Sequence, residues 1–348
     1  MAILFSLLWL QNITAAVIVY FGSLAFYRLF LHPLARFPGP KLAAITRYYE
    51  TYYDIVKNGQ YTFKIIEMHK KYGPTVRISP YELHVADPAF FEKLYRQDER
   101  WNKYSWALNG FSAEGAIICT VDHDVQKARR LPLNFFFSKA QGANKQALVH
   151  RNVQRFCNRI LRFVRIGQMV NLGAATSAFT RDISTAFILG KTYNSLGKAD
   201  FDIGMTNVFQ GFGHIWRITK HVTWFGPTMK AIPVDWVMKV ADEDTKAFFR
   251  HLKDTKELLT SIALSNPNEK APRTIVHEII DSNLPAKDKV FDRIFDDVAT
   301  VTGAGFETTA SVLRLIIFHV FNDIEILHQL RSELRSASIV SYFSDIKY

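Results

Sequence analysis

The segment Gly303-Ala304-Gly305-Phe306-Glu307-Thr308-Thr309 holds the residue types in this chain best suited to chemistry. Two glycines inside a helix cost about 1 kcal/mol each relative to alanine, which suggests that something approaches the backbone closely. A planar cofactor carrying a small ligand on its face would need such a groove. The acid and the hydroxyl one turn later, Glu307 and Thr308, could then deliver a proton. On spacing alone the competing reading is close helix–helix packing with Glu307 in a surface ion pair.

Other chemical patterns fall short. Gly303-Ala304-Gly305 begins like a dinucleotide fingerprint, but Thr308 replaces the last glycine and no strand precedes it. Thr185 to Thr192 imitates a phosphate loop with Thr185 where the first glycine belongs. His277-Glu278 lacks the second histidine of a helix-borne zinc protease motif. The two cysteines, Cys119 and Cys157, exclude a disulfide scaffold, and without close histidines they make no zinc site.

The elements that must position the 303–309 segment are mostly helical. It sits in the middle of a helix expected over about 287–321, roughly 50 Å long at 1.5 Å per residue and apolar on most sides. Further helices are expected near 61–72, 88–96, 123–131, 145–166, 173–190, 200–219, 236–265 and 273–282. Thr75–Ser79 and Leu83–Val85 read as a strand pair turned by Pro80-Tyr81-Glu82. No second sheet, internal repeat or low-complexity block is evident. With 348 residues, 48% hydrophobic and rich in aromatics (28 Phe, 14 Tyr), the chain is globular, with room for a large core or an apolar cavity.

Residues 1–27 carry no charged side chain, which exceeds the ~20 apolar residues a helix needs to cross a bilayer. Arg28, Arg36 and Lys41 follow, so the rest of the chain is expected on the cytoplasmic side. Residues 28–41 form a hinge in which three prolines and a glycine forbid a continuous helix. It should leave the membrane as a stiff, extended connector. Net charge is +11, and ten Lys/Arg against two acids lie between Asp122 and Arg165. That run is either a solvated helical face or a docking surface for an acidic protein. No helix-turn-helix, zinc finger or RNP-like motif accompanies it, so nucleic acid is not expected as a partner.

Five features in order carry a resemblance: the apolar anchor, FPGP at 37–40, KYGPTVRISPYELHVADP at 71–88, DHDVQKARRLPLNFFFSK at 122–139 and AGFETT at 304–309. Together they resemble a microsomal cytochrome P450 of the fungal type that includes trichodiene-oxygenase-like enzymes, over nearly the whole chain to about Ala337. The resemblance implies a mainly α, P450-like helical fold with a small β-hairpin over 42–337. It also implies an endoplasmic-reticulum membrane protein with a single-pass anchor and a cytosolic body. The activity implied is a heme-thiolate monooxygenase hydroxylating an apolar small molecule, such as a terpenoid or other secondary metabolite. Electrons would come from an NADPH–cytochrome P450 reductase docked on the basic face 122–165.

Residue by residue, Ala304 and Gly305 would lie against the heme, Thr308 would hold the oxygen intermediate and Glu307 would relay protons. Arg130 falls where the family places a basic residue near the heme propionates. Gln126 stands where an aromatic residue or histidine is usual, and His123 is a nearby substitute. Three departures accompany these matches. Glu333-Leu334-Arg335 has the wrong spacing for the family's Glu-x-x-Arg helix, and Cys119 and Cys157 lack the framing of its heme-ligating loop. The tail 338–348 resembles nothing in the family. The expectation is therefore a chain truncated before the axial cysteine, with no metal ligand of its own. The alternatives are an inert membrane-tethered fragment without heme and a helical interaction module that uses the basic face.

Overall fold

The computed structural model describes residues 2–96, 98–265 and 272–336, with side chains from Trp9 onward. The tail expected at 338–348 lies outside the described residues. The chain divides into two compact units, residues 1–101 with 214–225 and residues 102–213 with 226–348.

In the first unit, helix α1 (Ala2–Phe26) runs into a π-helical turn, Tyr27–Leu31. The stretch Trp9–Leu31 contains an 18-residue window of mean hydropathy 1.7 and no buried residue, so it is long and apolar enough to cross a membrane. His32 turns to an extended conformation before Pro33, as the ring of a following proline requires. The hinge is not the free extended connector expected from its prolines. It forms turns and docks on the hairpin, with Arg77 N–H donating to the Pro38 carbonyl at 2.8 Å. The side chain of buried Arg77 also donates to the carbonyls of Arg28 (2.7 Å) and Pro80 (2.9 Å), so one residue ties anchor, hinge and turn together.

Short helices α2 (Lys41–Ile45) and α3 (Tyr48–Thr51), a π turn (Tyr52–Val56) and α4 (Tyr61–Tyr72) lead into the hairpin. Strands β1 (Thr75–Ser79) and β2 (Glu82–Val85) pair antiparallel with Val76 opposite His84, and the register shifts between Arg77 and Ser79. Tyr61, Met68 and Val76 form this unit's core under a cover of tyrosines, and α5 (Ala89–Leu94) follows.

The second unit contains α6 (Ser105–Leu108), α7 (His123–Phe136), α8 (Lys139–Asn144), α9 (Gln146–Arg165) and α10 (Leu172–Leu189). Helix α11 (Ile203–His221) gives its last turns to the first unit. Then come α12 (Phe225–Ala231), α13 (Val234–Val240), α14 (Glu243–Ala263), α15 (Ile275–Ile280), α16 (Phe291–Asn322) and α17 (Ile324–Ser336).

Two expectations differ here. Helix α7 does not stop before Pro132, because Leu133 and Phe136 beyond it are buried in the main core. Core burial outweighs the one backbone hydrogen bond that proline removes. The single helix expected at 236–265 breaks at Asp242, whose carboxylate accepts from Thr245 N–H at 2.9 Å and caps α14.

The main core joins Leu133 and Phe136 of α7, Leu189 of α10, Leu259 of α14, Ile279 of α15 and Val298 of α16. A second cluster packs the alanine face of α10 against Phe156 and Phe163 of α9.

Candidate active site on the long helix

The site is organised by α16, whose first half is tied down by charge. Asp288, just before the helix, accepts from Arg129 of α7 at 2.7 Å. Arg129 also donates to Thr120, and Asp297 accepts from Ile117 N–H at 2.7 Å. Asp296 accepts from Gly115 N–H at 3.0 Å. Arg293 lies 2.8 Å from Asp297, close but not aligned as a hydrogen bond. Burial pushes the Asp296 and Asp297 carboxyls above the usual carboxylate range; Arg293 opposes that shift at Asp297. The loop 113–120 and the start of α7 are thus fixed against the entry to α16.

The 303–309 segment presents two different faces. On the inner face Phe306 is fully buried, edge-on to Phe209 with ring centroids 5.2 Å apart. Two hydroxyls of α10 reach across to α16: Thr180 donates to the Phe306 carbonyl (2.8 Å) and Ser184 to the Gly305 carbonyl (3.2 Å). A Cβ on Gly305 would stand 2.4 Å from Ser184 Oγ, so here the close approach is one helix against another. At Gly303 the nearest atom is a Phe209 ring carbon at 3.8 Å, an ordinary contact.

On the outer face Ala304 and Thr308 are exposed one turn apart, and Thr308 Oγ donates to the Ala304 carbonyl at 2.8 Å. Glu307 lies between the faces. One of its oxygens is 2.9 Å from Arg314 Nη2; the other is buried without a hydrogen-bond partner. Arg314 in turn donates to Ser177 Oγ of α10 at 2.9 Å. This arrangement can hold a carboxylate at a fixed place beside an exposed hydroxyl and leave one carboxylate oxygen for a proton.

On α7, His123, Gln126 and Arg130 recur at positions that share one helical face; the first two are half-buried and Arg130 is exposed. Among the described residues no contact joins them to Ala304 or Thr308. The cation of α7 that is ion-paired in the structure is half-buried Arg129, which sequence reasoning passed over. Arg314 was also missed, although its place seven residues after Glu307 puts both on one face.

The cysteines are poor metal donors. Cys119 ends a 3₁₀ turn and burial pushes its thiol up to about 11; Cys157, mid-helix in α9, is raised by burial too. A ligating cysteine is a thiolate, and these surroundings favour the thiol.

The cytochrome P450 family model matches residues 51–339. The chain belongs to the cytochrome P450 family. It is 35% identical over 332 residues to cytochrome P450 monooxygenase tpcC of Cochliobolus heterostrophus, covering 94% of this chain and 63% of that protein. Cytochrome P450 monooxygenase TRI4 of Fusarium sporotrichioides is 32% identical over 326 residues, covering 93% of this chain and 62% of its own length. Tryptophan 6-hydroxylase fscE of Fusarium equiseti is 32% identical over 317 residues, covering 90% of this chain and 62% of its own length. The chain thus spans less than two thirds of these relatives. The crystal structure of the P450 CYP102L1 superposes with a TM-score of 0.53 at 13% identity, over 72% of this chain and 56% of that one. That likeness supports the P450 fold for the mainly helical body with its small hairpin.

Proposed function

We propose that this chain carries the oxygen-side half of a membrane-bound heme-thiolate monooxygenase that hydroxylates an apolar small molecule. The observation carrying this reading is the junction on α16, where the exposed Ala304–Thr308 edge adjoins a carboxylate held by Arg314. Heme would supply oxygen activation. The residues present fit the face of a planar group: Ala304 is small, Gly305 brings α10 against the opposite side, and Arg130 offers an exposed cation for propionates. They do not fit its iron: Cys119 closes a 3₁₀ turn, Cys157 lies mid-helix in α9, and burial raises both thiols.

What this chain's own groups do is limited and specific. Thr308 Oγ offers a hydroxyl at the exposed face, and Glu307 Oε1 holds or passes a proton beside it. Trp9–Leu31 anchors the chain in the endoplasmic reticulum membrane. The basic face 122–165, with His123 and Gln126 beside Arg130, receives an NADPH-dependent reductase. Fungal relatives named as monooxygenases support the reaction class; the substrate proposed is an apolar secondary metabolite.

A second reading, a membrane-tethered chain without heme, is favoured by the placement of the two cysteines, one closing a 3₁₀ turn and one mid-helix. Titrating hemin into the full chain in detergent separates the two. The expected result is a Soret band that Thr308→Trp abolishes by filling the face, with no thiolate-type carbon-monoxide band. A chain silent to hemin would establish the heme-free reading. A thiolate-type band lost in Cys157→Ala would overturn the ligand argument.

A further inference from the structure

Helix α9 contains five arginines and no acid. Arg155, Arg159 and Arg162 recur at spacings of four and three, so they share one face over about 10 Å of helix. With Asn158 they wall one side of an open groove of about 270 Å³, and Leu196 and Gly197 line the other.

The groove is built rather than incidental. Its far wall is the turn Ser195–Gly197, held by buried Asp182, which accepts from Ser195 N–H (2.8 Å) and Leu196 N–H (3.1 Å). Asn194 sits in the left-handed region at φ 55°, and its side-chain oxygen accepts from Arg155. A Cβ at Gly197 would meet that Asn194 side chain at 2.5 Å, so glycine closes the turn. Arg159 is held flat: its guanidinium lies 5.1 Å over the Phe201 ring and 5.5 Å over Phe163, and it donates to the Lys198 carbonyl at 2.9 Å. Its Nε is buried with no hydrogen-bond partner. Arg162 is exposed at the open end. The carboxylate near these three guanidinium groups is Asp182, 3.9 Å from Arg155 and engaged with the turn.

We infer that this groove binds a phosphate-bearing ligand. Guanidinium forks match phosphoryl oxygens in pairs, and three along one face exceed the charge of a single carboxylate. A phosphomonoester or diphosphate answers both the charge and the length. Two sources share this chemistry, a soluble phosphate ester and a phospholipid headgroup. Exposed Val164, Ile166 and Met169 follow Arg162 along the chain and would suit the apolar part of either. The inference does not depend on heme or on turnover.

The test is calorimetric titration of inorganic pyrophosphate into the full chain in nonionic detergent micelles. Saturable binding at one per chain is expected, weakened about tenfold in Arg162→Gln, since hydrogen bonds to charged groups carry that much affinity. Arg162 is exposed, so its replacement leaves the fold intact, whereas Arg159 is stacked on Phe163 and Phe201. Lys127→Gln on α7 removes the same charge away from the groove and should leave binding unchanged. Equal losses in the two variants, or no saturable binding, would overturn the site. Phosphatidic acid added to the micelles distinguishes the sources: competition with pyrophosphate assigns a headgroup, and undiminished binding assigns a soluble ester.

Discussion

The two halves of α16 meet opposite surroundings. From Arg293 to Phe306 the helix is recessed in the second unit, with Ile294, Val298 and Phe306 buried and its acids engaged by Arg293 and backbone N–H groups. From Val312 to Phe321, five large apolar side chains stand exposed. Hydropathy runs against burial, since the exposed second half is the more apolar and the recessed first half carries the acids. Ionic ties to α7 and to the loop 113–120, with the hydroxyls of α10, decide which half is core. The Glu307–Thr308 pair sits where one regime gives way to the other.

The largest effect should separate a phenylalanine in each half. Phe306 is 0% exposed and Phe318 is 60% exposed. Phe306→Ala should cost about 3–5 kcal/mol, the usual range for a buried aromatic, while Phe318→Ala should stay within about 0.5 kcal/mol. Urea unfolding followed by circular dichroism measures both. Equal losses would show that the second half is also packed. The same exposed stretch should bind a hydrophobic dye, and Leu315→Lys with Phe318→Lys should quench that signal without shifting the urea midpoint.

Next in size is an acid effect beside the junction. His251 of α14 packs edge-on to Tyr193 (4.7 Å) and lies 6.3 Å from the Phe306 ring. Burial, aided by the Arg181 charge, lowers its pKa to about 4 from an ordinary 6.5. The folded state thus binds fewer protons than the unfolded state between those values. The stability is complete above pH 6.5 and is lost as pH falls toward 4, by about 3 kcal/mol. His251→Phe should flatten that part of the stability–pH curve; an unchanged slope would place the acid sensitivity elsewhere.

How much of this was readable in advance varies by region. The central helix, the hairpin and the family were legible because they rest on local pattern: apolar residues on most sides, two β-rich runs around a proline turn, and motifs in order. The start of α16 fell at Phe291 rather than near 287, because Pro285 opens a separate short turn, Ala286–Asp288. What pattern could not supply was partnership. Arg129 and Arg130 are neighbours of one type, and only Asp288, far along the chain, makes the first structural. Residues 41–56 went unread, since short helices and π turns carry little periodic signal.

The smallest predicted effect tests the glycines at the junction, and it is a difference in sign. Alanine at either position gains about 1 kcal/mol of helix propensity. At Gly303 the added methyl meets only the Phe209 ring at 3.8 Å, so Gly303→Ala should stabilise by up to that amount. At Gly305 it would lie 2.4 Å from Ser184 Oγ and 3.1 Å from Ser184 Cβ. Rotating the hydroxyl away relieves the first clash but gives up its bond to the Gly305 carbonyl and leaves the second. Overpacking of this kind costs about 1–3 kcal/mol, enough to reverse the propensity gain. Gly305→Ala should therefore lower the urea midpoint while Gly303→Ala raises it. If both raise it, α10 yields easily at Ser184, and the close approach at Gly305 is not what holds the buried half of α16 in place.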